Sequence, residues 1–230
     1  MKNNNFRLFL LKLEEMKKLK GYIINKESEK LEVSFKILVM NFGELRKFIS
    51  KVPVFSVAQK KESENFQIEA LRLFVNFLNS AYSHICHMRN YIRFIYKDEN
   101  LAFSGAYKKE IEKRFESNQL AKFLIELRNY FDHVEILPIG ISTTFNETGA
   151  EARIFLNKET IISSEKFKKE TKIFLSSLDK TIDVLDICKE YIELNLFPWI
   201  MKQQTVEHKK EFDEYKRMQS ELKKLYNNGA

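Results

Sequence analysis

Residues 66–97 read FQIEALRLFVNFLNSAYSHICHMRNYIRFIYK, and this stretch decides the fold class. Phe66, Ala70, Leu73, Phe77, Ala81, Ile85, Met88, Ile92 and Ile95 recur at three- and four-residue intervals, the spacing of one helix face. The pattern needs a helix of roughly thirty residues, on the order of 45 Å long at 1.5 Å per residue. A helix of that length is expected at the centre of a bundle.

Upstream, the same periodicity predicts a helix over 6–24, through Phe6, Leu10, Leu13, Met16 and Leu19, with Gly21 near its end. It predicts a second over 29–50, through Leu31, Phe35, Leu38, Phe42, Leu45 and Ile49, stopped by Pro53. Residues 54–65 are polar and mixed, as a connection would be.

Downstream, the chain is expected to break around Gly105. A short helix from Tyr107 to Phe115 follows, and then a helix over 118–134 with Ser117 as N-cap. Pro138 disfavours helical geometry at Leu137, so 136–145 reads as extended. Asn146-Glu147-Thr148-Gly149 reads as a turn, and Ala152–Leu156 as a strand pairing with 139–145. Ser164 is expected to cap a long helix over 165–195, and Pro198 marks a break. Residues 199–228 form a charged terminal helix. Its thin stripe of Phe212, Tyr215, Met218, Leu222 and Leu225 suits one-sided packing or a partner helix.

The expected fold is therefore all-α, a helical bundle with long central helices and a small β-hairpin around 137–157. The expected organisation is a helical hairpin over 1–53 packed on a core domain over 54–198, followed by the charged helix 199–230.

Composition agrees. Only 6 Gly and 3 Pro occur in 230 residues, too few for the frequent turns of a β-rich fold. Hydrophobic content of 44%, with 20 Phe, predicts one bulky core. Cys86 and Cys188 have no metal-ligand spacing and read as buried thiols in a reducing compartment. The N-terminus lacks a signal-peptide core, and no run of ~18 apolar residues occurs. A cytoplasmic location is expected. The net charge of +7 permits a nucleic-acid partner without demanding one.

The segment with chemistry in it is Arg128-Asn129-Tyr130-Phe131-Asp132-His133. On a helix, Asn129, Asp132 and His133 share one side, and the long Arg128 side chain can swing toward it. Phe123, Leu124, Leu127, Tyr130 and Phe131 supply an opposite, core-facing surface. Such a set suits phosphodiester cleavage. RNA carries its own nucleophile, the 2′-hydroxyl. A histidine, whose ordinary pKa is about 6.5, can move its proton at neutral pH. An arginine can grip phosphate oxygens through two parallel hydrogen bonds. An asparagine can orient either. No metal cluster is apparent, and no cofactor is expected.

Arg-Asn, three residues, then His near a helix end resembles the signature of the HEPN superfamily of ribonucleases. The stretch from Leu127 to His133 followed by Leu137-Pro138-Ile139 resembles one bacterial branch of it. Asn79-Ser80-Ala81-Tyr82 and His87-Met88-Arg89-Asn90 resemble that branch's long upstream helix. The likeness covers about 66–195. It implies a HEPN-like fold and a metal-independent endoribonuclease that leaves 2′,3′-cyclic or 3′-phosphate ends with 5′-hydroxyls. It also implies Arg128 and His133 as catalytic residues supported by Asn129, and a homodimer with two motifs in one cleft. A toxin or phage-defence role with an antitoxin or defence partner follows as well. Asp132, Tyr130, His87 and Arg89 are further candidates for substrate contact. Glu135 departs from the pattern, being an awkward neighbour for a phosphate unless it points away.

A plainer account stays open beside this one. Arg128 and Asp132 can form an ordinary i, i+4 ion pair. His133 can simply favour a helix C-terminus. The chain is then a non-catalytic helical module that binds a partner protein or a nucleotide. His84 and His87 read as the polar face of a half-buried helix, His208 as part of a solvated face, and Trp199 as a packing anchor.

Overall fold

The computed structural model describes residues 2–51, 60–96, 101–137, 139–146, 149–178 and 181–229. The protein is a helical bundle with a small antiparallel sheet. Its axis is a pair of long helices, α2 (Lys20–Ser50) and α3 (Lys60–Ile95), packed along each other. Leu31, Leu38 and Leu45 of α2 meet the Ala70–Phe77–Met88 face of α3, and all six are essentially solvent-free. Phe48 stacks on Phe66 with ring centroids 4.9 Å apart, pinning one end of the pair. The expected central helix is therefore present, and its first turn extends back to Lys60.

The N-terminal region divides differently from the expectation. Helix α1 (Lys2–Lys18) ends before Leu19, which is extended at φ −65°, ψ 136°, and α2 then runs without a break through 25–28. Gly21 lies inside α2 because the last helix crosses there. A Cβ on residue 21 would sit 2.2 Å from the Glu211 carbonyl oxygen. Leu31 to Ile49 belong to the main core, whereas α1 packs on the C-terminal helix through a separate small cluster of Met16, Tyr215 and Leu222. Pro53 and the 54–59 connection lie outside the described residues.

Helix α4 (Leu101–Ile111) passes straight through Gly105 and widens into a π-helical turn over Glu112–Glu116. The break expected at Gly105 does not occur. Helix α5 (Gln119–His133) follows, and its N-cap is Asn118 rather than Ser117. The Asn118 side-chain oxygen accepts from the Ala121 N–H at 2.9 Å, satisfying one of the first-turn donors.

The hairpin forms as the sequence predicts. Strands β1 (Ile139–Asn146) and β2 (Gly149–Leu156) pair with Ile139 opposite Leu156 and Asn146 opposite Gly149. Pro138 and the turn residues Glu147 and Thr148 lie outside the described residues. A third strand, β3 (Ile182–Asp183), pairs with Leu156 and Phe155.

That strand interrupts the single helix expected over 165–195. A short helix α6 (Lys158–Ser163) precedes that span, and within it stand α7 (Lys169–Ser177) and α8 (Val184–Glu193). Asn157 caps α6, and Asp183 caps α8 by accepting from the Leu185 and Asp186 N–H groups. Ser164 ends α6 instead of capping the expected helix, α7 starts after Lys168 without a side-chain cap, and the Asp183 cap restarts the chain as α8.

The terminal segment is likewise two helices, α9 (Phe197–Glu207) and α10 (Lys209–Gly229), with Pro198 in the first turn of α9. His208 sits at the break with φ −106°, ψ 31°. It is not part of a solvated face. It is 3% exposed, with its ring 5.5 Å from that of Tyr96. The apolar stripe of α10 is covered by α1 and α2 of the same chain. Trp199 packs over Phe103, as an anchor should. Cys86 and Cys188 are both free thiols, and Cys188 is buried. No helix among the described residues is long and apolar enough to cross a membrane.

Candidate functional site

Helix α5 carries the motif. Leu120, Phe123, Leu124, Leu127 and Tyr130 are buried against the bundle, leaving Asn129, Asp132 and His133 exposed. The helix ends at His133, where the Val134 and Glu135 N–H groups both donate to the Tyr130 carbonyl. His133 therefore stands on the last turn with its ring in solvent.

Asn129 and His133 line a groove of about 440 Å³. Its other polar walls are Lys122, Glu126, Lys166 and Lys168, with Ile125 and Val134 as apolar ones. Nothing in the local sequence points to Lys166 and Lys168. They arrive because Phe167, between them, is buried and stacks on Tyr130 at 4.9 Å and 26°. The Lys168 N–H donates to Glu126 Oε2 at 3.2 Å, fixing the loop against α5. The Lys168 ammonium stays 3.8 Å from the Glu126 carboxylate.

Arg128 does not swing into this groove. Its guanidinium turns the other way, toward α3. Nε donates to Asn79 Oδ1 at 3.2 Å, Nη1 to Asn129 Oδ1 at 3.2 Å, and Nη2 pairs with Asp132 Oδ2 at 2.9 Å. The guanidinium carbon also lies 4.7 Å from the Tyr82 ring centroid. Asn129 thus faces both ways, lining the groove and accepting from Arg128.

Tyr130 is a packing residue more than a surface contact. It is 7% exposed, and its hydroxyl donates to Glu135 at 3.0 Å. That bond ties Glu135 back to α5. Burial, reinforced by Glu135, raises the Tyr130 pKa above the usual phenol value.

His87 lines a different groove, about 650 Å³ in volume, between α2 and α3 beside Lys26, Ser34 and Ser83. That groove and the His133 groove share no lining residue, so the structure does not bring His87 to the motif. Arg89 is exposed on α3, and its charge acts on Tyr107 and Tyr191. His84 is 1% exposed rather than part of a polar face. Its Nδ1 lies 3.2 Å from Ser34 Oγ, and burial pushes its pKa down to about 4. Among the described residues, no three His, Cys, Asp or Glu side chains gather as metal ligands.

Searched against protein-family models, curated proteins and solved structures, the chain matches none.

Proposed function

We propose that the protein is an endoribonuclease that cleaves RNA by attack of its own 2′-hydroxyl, with the reaction centred on His133. The observation that carries this reading is an exposed imidazole beside an amide in a groove walled by three lysines. His133 takes the 2′-hydroxyl proton, the 2′-oxygen bonds to phosphorus, and the bond from phosphorus to the 5′-oxygen breaks. The leaving oxygen takes a proton to become a 5′-hydroxyl, and the other end is a 2′,3′-cyclic phosphate. Lysine ammonium groups offset the charge that builds on the phosphoryl oxygens. Asn129 orients the phosphate or the imidazole. No cofactor enters this scheme. A homodimer, a cytoplasmic setting, and a toxin or phage-defence role with an antitoxin or defence partner complete the proposal.

The test is incubation of the purified protein with RNA in EDTA, beside His133→Ala. Wild type yields 2′,3′-cyclic ends and the variant loses at least about 100-fold in rate, the usual contribution of a general base. Intact RNA with wild type, or equal cutting by both, removes the enzymatic reading.

One observation favours a second reading. Arg128 is engaged by Asn79, Asn129, Asp132 and Tyr82, the pattern of a residue that staples α5 to α3. On that reading the chain is a non-catalytic helical module for a partner protein or nucleotide. Arg128→Ala then lowers thermal stability, and no RNA is cut by any form.

A further inference from the structure

Of the groups around Arg128, three are neutral and one is charged. Asn79 and Asn129 each offer an amide oxygen, and Tyr82 offers a ring face. Among the described residues the only anion on the guanidinium is the Asp132 carboxylate. The neutral groups fix where the guanidinium points without discharging it. A carboxylate and a phosphate use the same guanidinium edge, because both present oxygens spaced for its planar fork.

Asp132 is therefore the one replaceable member. It lies four residues after Arg128 on the same helix, and both side chains remain about a quarter exposed, at 25% and 21%. Ion pairs of this kind on a helix surface are weak. A backbone phosphodiester carries the same single charge as a carboxylate, presents two oxygens to the same guanidinium edge, and can arrive from solvent. Asn129 lines the His133 groove and also accepts from Arg128 Nη1 at 3.2 Å, so the guanidinium and the groove adjoin through one residue.

We infer that Arg128, framed by Asn79, Asn129 and Tyr82, is a seat for a backbone phosphate of RNA next to the scissile one, and that Asp132 occupies this seat when RNA is absent. The inference rests on the ribonuclease reading above. Asp132 is then an internal competitor that sets how tightly RNA binds. It also explains why a cation in the motif points away from the histidine: the two grip successive phosphates.

The experiment measures binding of a short 2′-O-methyl oligoribonucleotide, which lacks the nucleophile and is not cut, in EDTA over a range of salt concentrations. Four proteins are compared: wild type, Asp132→Asn, Arg128→Gln and the double variant. Asp132→Asn is isosteric and keeps the helix end polar. It tightens binding about threefold, the scale of a weak surface ion pair released. The log K against log salt slope stays at the wild-type value, because the same phosphate fills the seat, whereas Arg128→Gln lowers it by about 0.7, the effect of one phosphate no longer neutralised on a single strand. In the Arg128→Gln background the same change has a clearly smaller effect.

An equal gain in both backgrounds shows a bulk charge effect and overturns the seat. So does unchanged or weaker binding by Asp132→Asn when wild type binds RNA. Absence of RNA binding by all four overturns the ribonuclease reading and the seat together.

Discussion

The Arg128 guanidinium lies 4.7 Å from the centre of the Tyr82 ring, so the first residue of the RNYFDH motif is fastened to the long helix α3. This contact joins the helix that carries the motif to the axis of the bundle. It holds Arg128 on the far side of Asn129 from His133. Replacing Tyr82 by Leu keeps an apolar side chain and removes the π face. The expected loss is about 0.5–1 kcal/mol, the value of an exposed cation–π contact. Urea denaturation monitored by circular dichroism measures it, and an unchanged midpoint would show that the ring contributes nothing.

Lys166 and Lys168 flank Phe167, whose stacking on Tyr130 brings both ammonium groups to the His133 groove. Truncating both to Ala leaves Phe167 in place and removes little folded-state interaction, since the Lys168–Glu126 pair is long and exposed on the lysine side. The folded protein should melt within a degree or two of wild type. RNA binding should weaken at every salt concentration, and the log K against log salt slope should fall by about 0.7 for each phosphate no longer neutralised. A slope that does not move means the two lysines stand clear of the nucleic acid.

His84 gives the protein a pH dependence of predictable sign. In the fold its pKa is lowered to about 4 by burial, whereas an exposed histidine titrates near 6.5. The unfolded chain therefore binds a proton that the folded chain refuses over that window. The contribution is fully present above pH ~6.5 and is lost as pH falls toward ~4, by about 3 kcal/mol over the full interval. Melting temperature should drop between pH 7 and pH 5 in wild type, and His84→Gln should flatten that slope even if its own stability is lower. Parallel pH profiles for the two proteins would rule His84 out as the cause.

The long elements were legible because their apolar period is sustained. In α3, Phe77, Ile85 and Met88 repeat one face over many turns, and no local signal competes. The hairpin was legible from Pro138 and from Asn146 and Gly149 at its turn. Periodicity misled where a cap restarts the chain. Asp183 begins a helix inside what reads as one apolar run over 165–195, and Ile182 is claimed by a strand. Capping residues weigh little in a count of apolar positions, although their geometry decides direction. His208 could not be read from its lysine neighbours, because it is the Tyr96 ring, over a hundred residues earlier, that covers it. At the site, the helix end and the exposure of Asn129 and His133 follow from the local pattern. The orientation of Arg128 depends on Asn79 and Tyr82, and the two lysines depend on Phe167, so neither was available from the motif alone.

Gly21 and Gly105 offer opposite outcomes for one substitution. Both lie inside helices, where alanine is intrinsically favoured by about 1 kcal/mol. At residue 105 an added Cβ meets nothing within 4 Å, so Gly105→Ala should stabilise by up to that amount. At residue 21 the Cβ would lie 2.2 Å from the Glu211 carbonyl oxygen and 3.0 Å from the Tyr215 Cβ. Backbone cannot rotate away as a flexible side chain can, so α10 has to shift off α2. That displacement should cost about 1–3 kcal/mol, the range for overpacking a close contact. It would also loosen the Met16–Tyr215–Leu222 cluster that fastens α1. Chemical denaturation of the two variants gives the signs directly, and hydrogen exchange should show faster opening of α1 and α10 in Gly21→Ala. A Gly21→Ala protein as stable as wild type, with protection in α10 unchanged, would mean that the helices do not cross at residue 21.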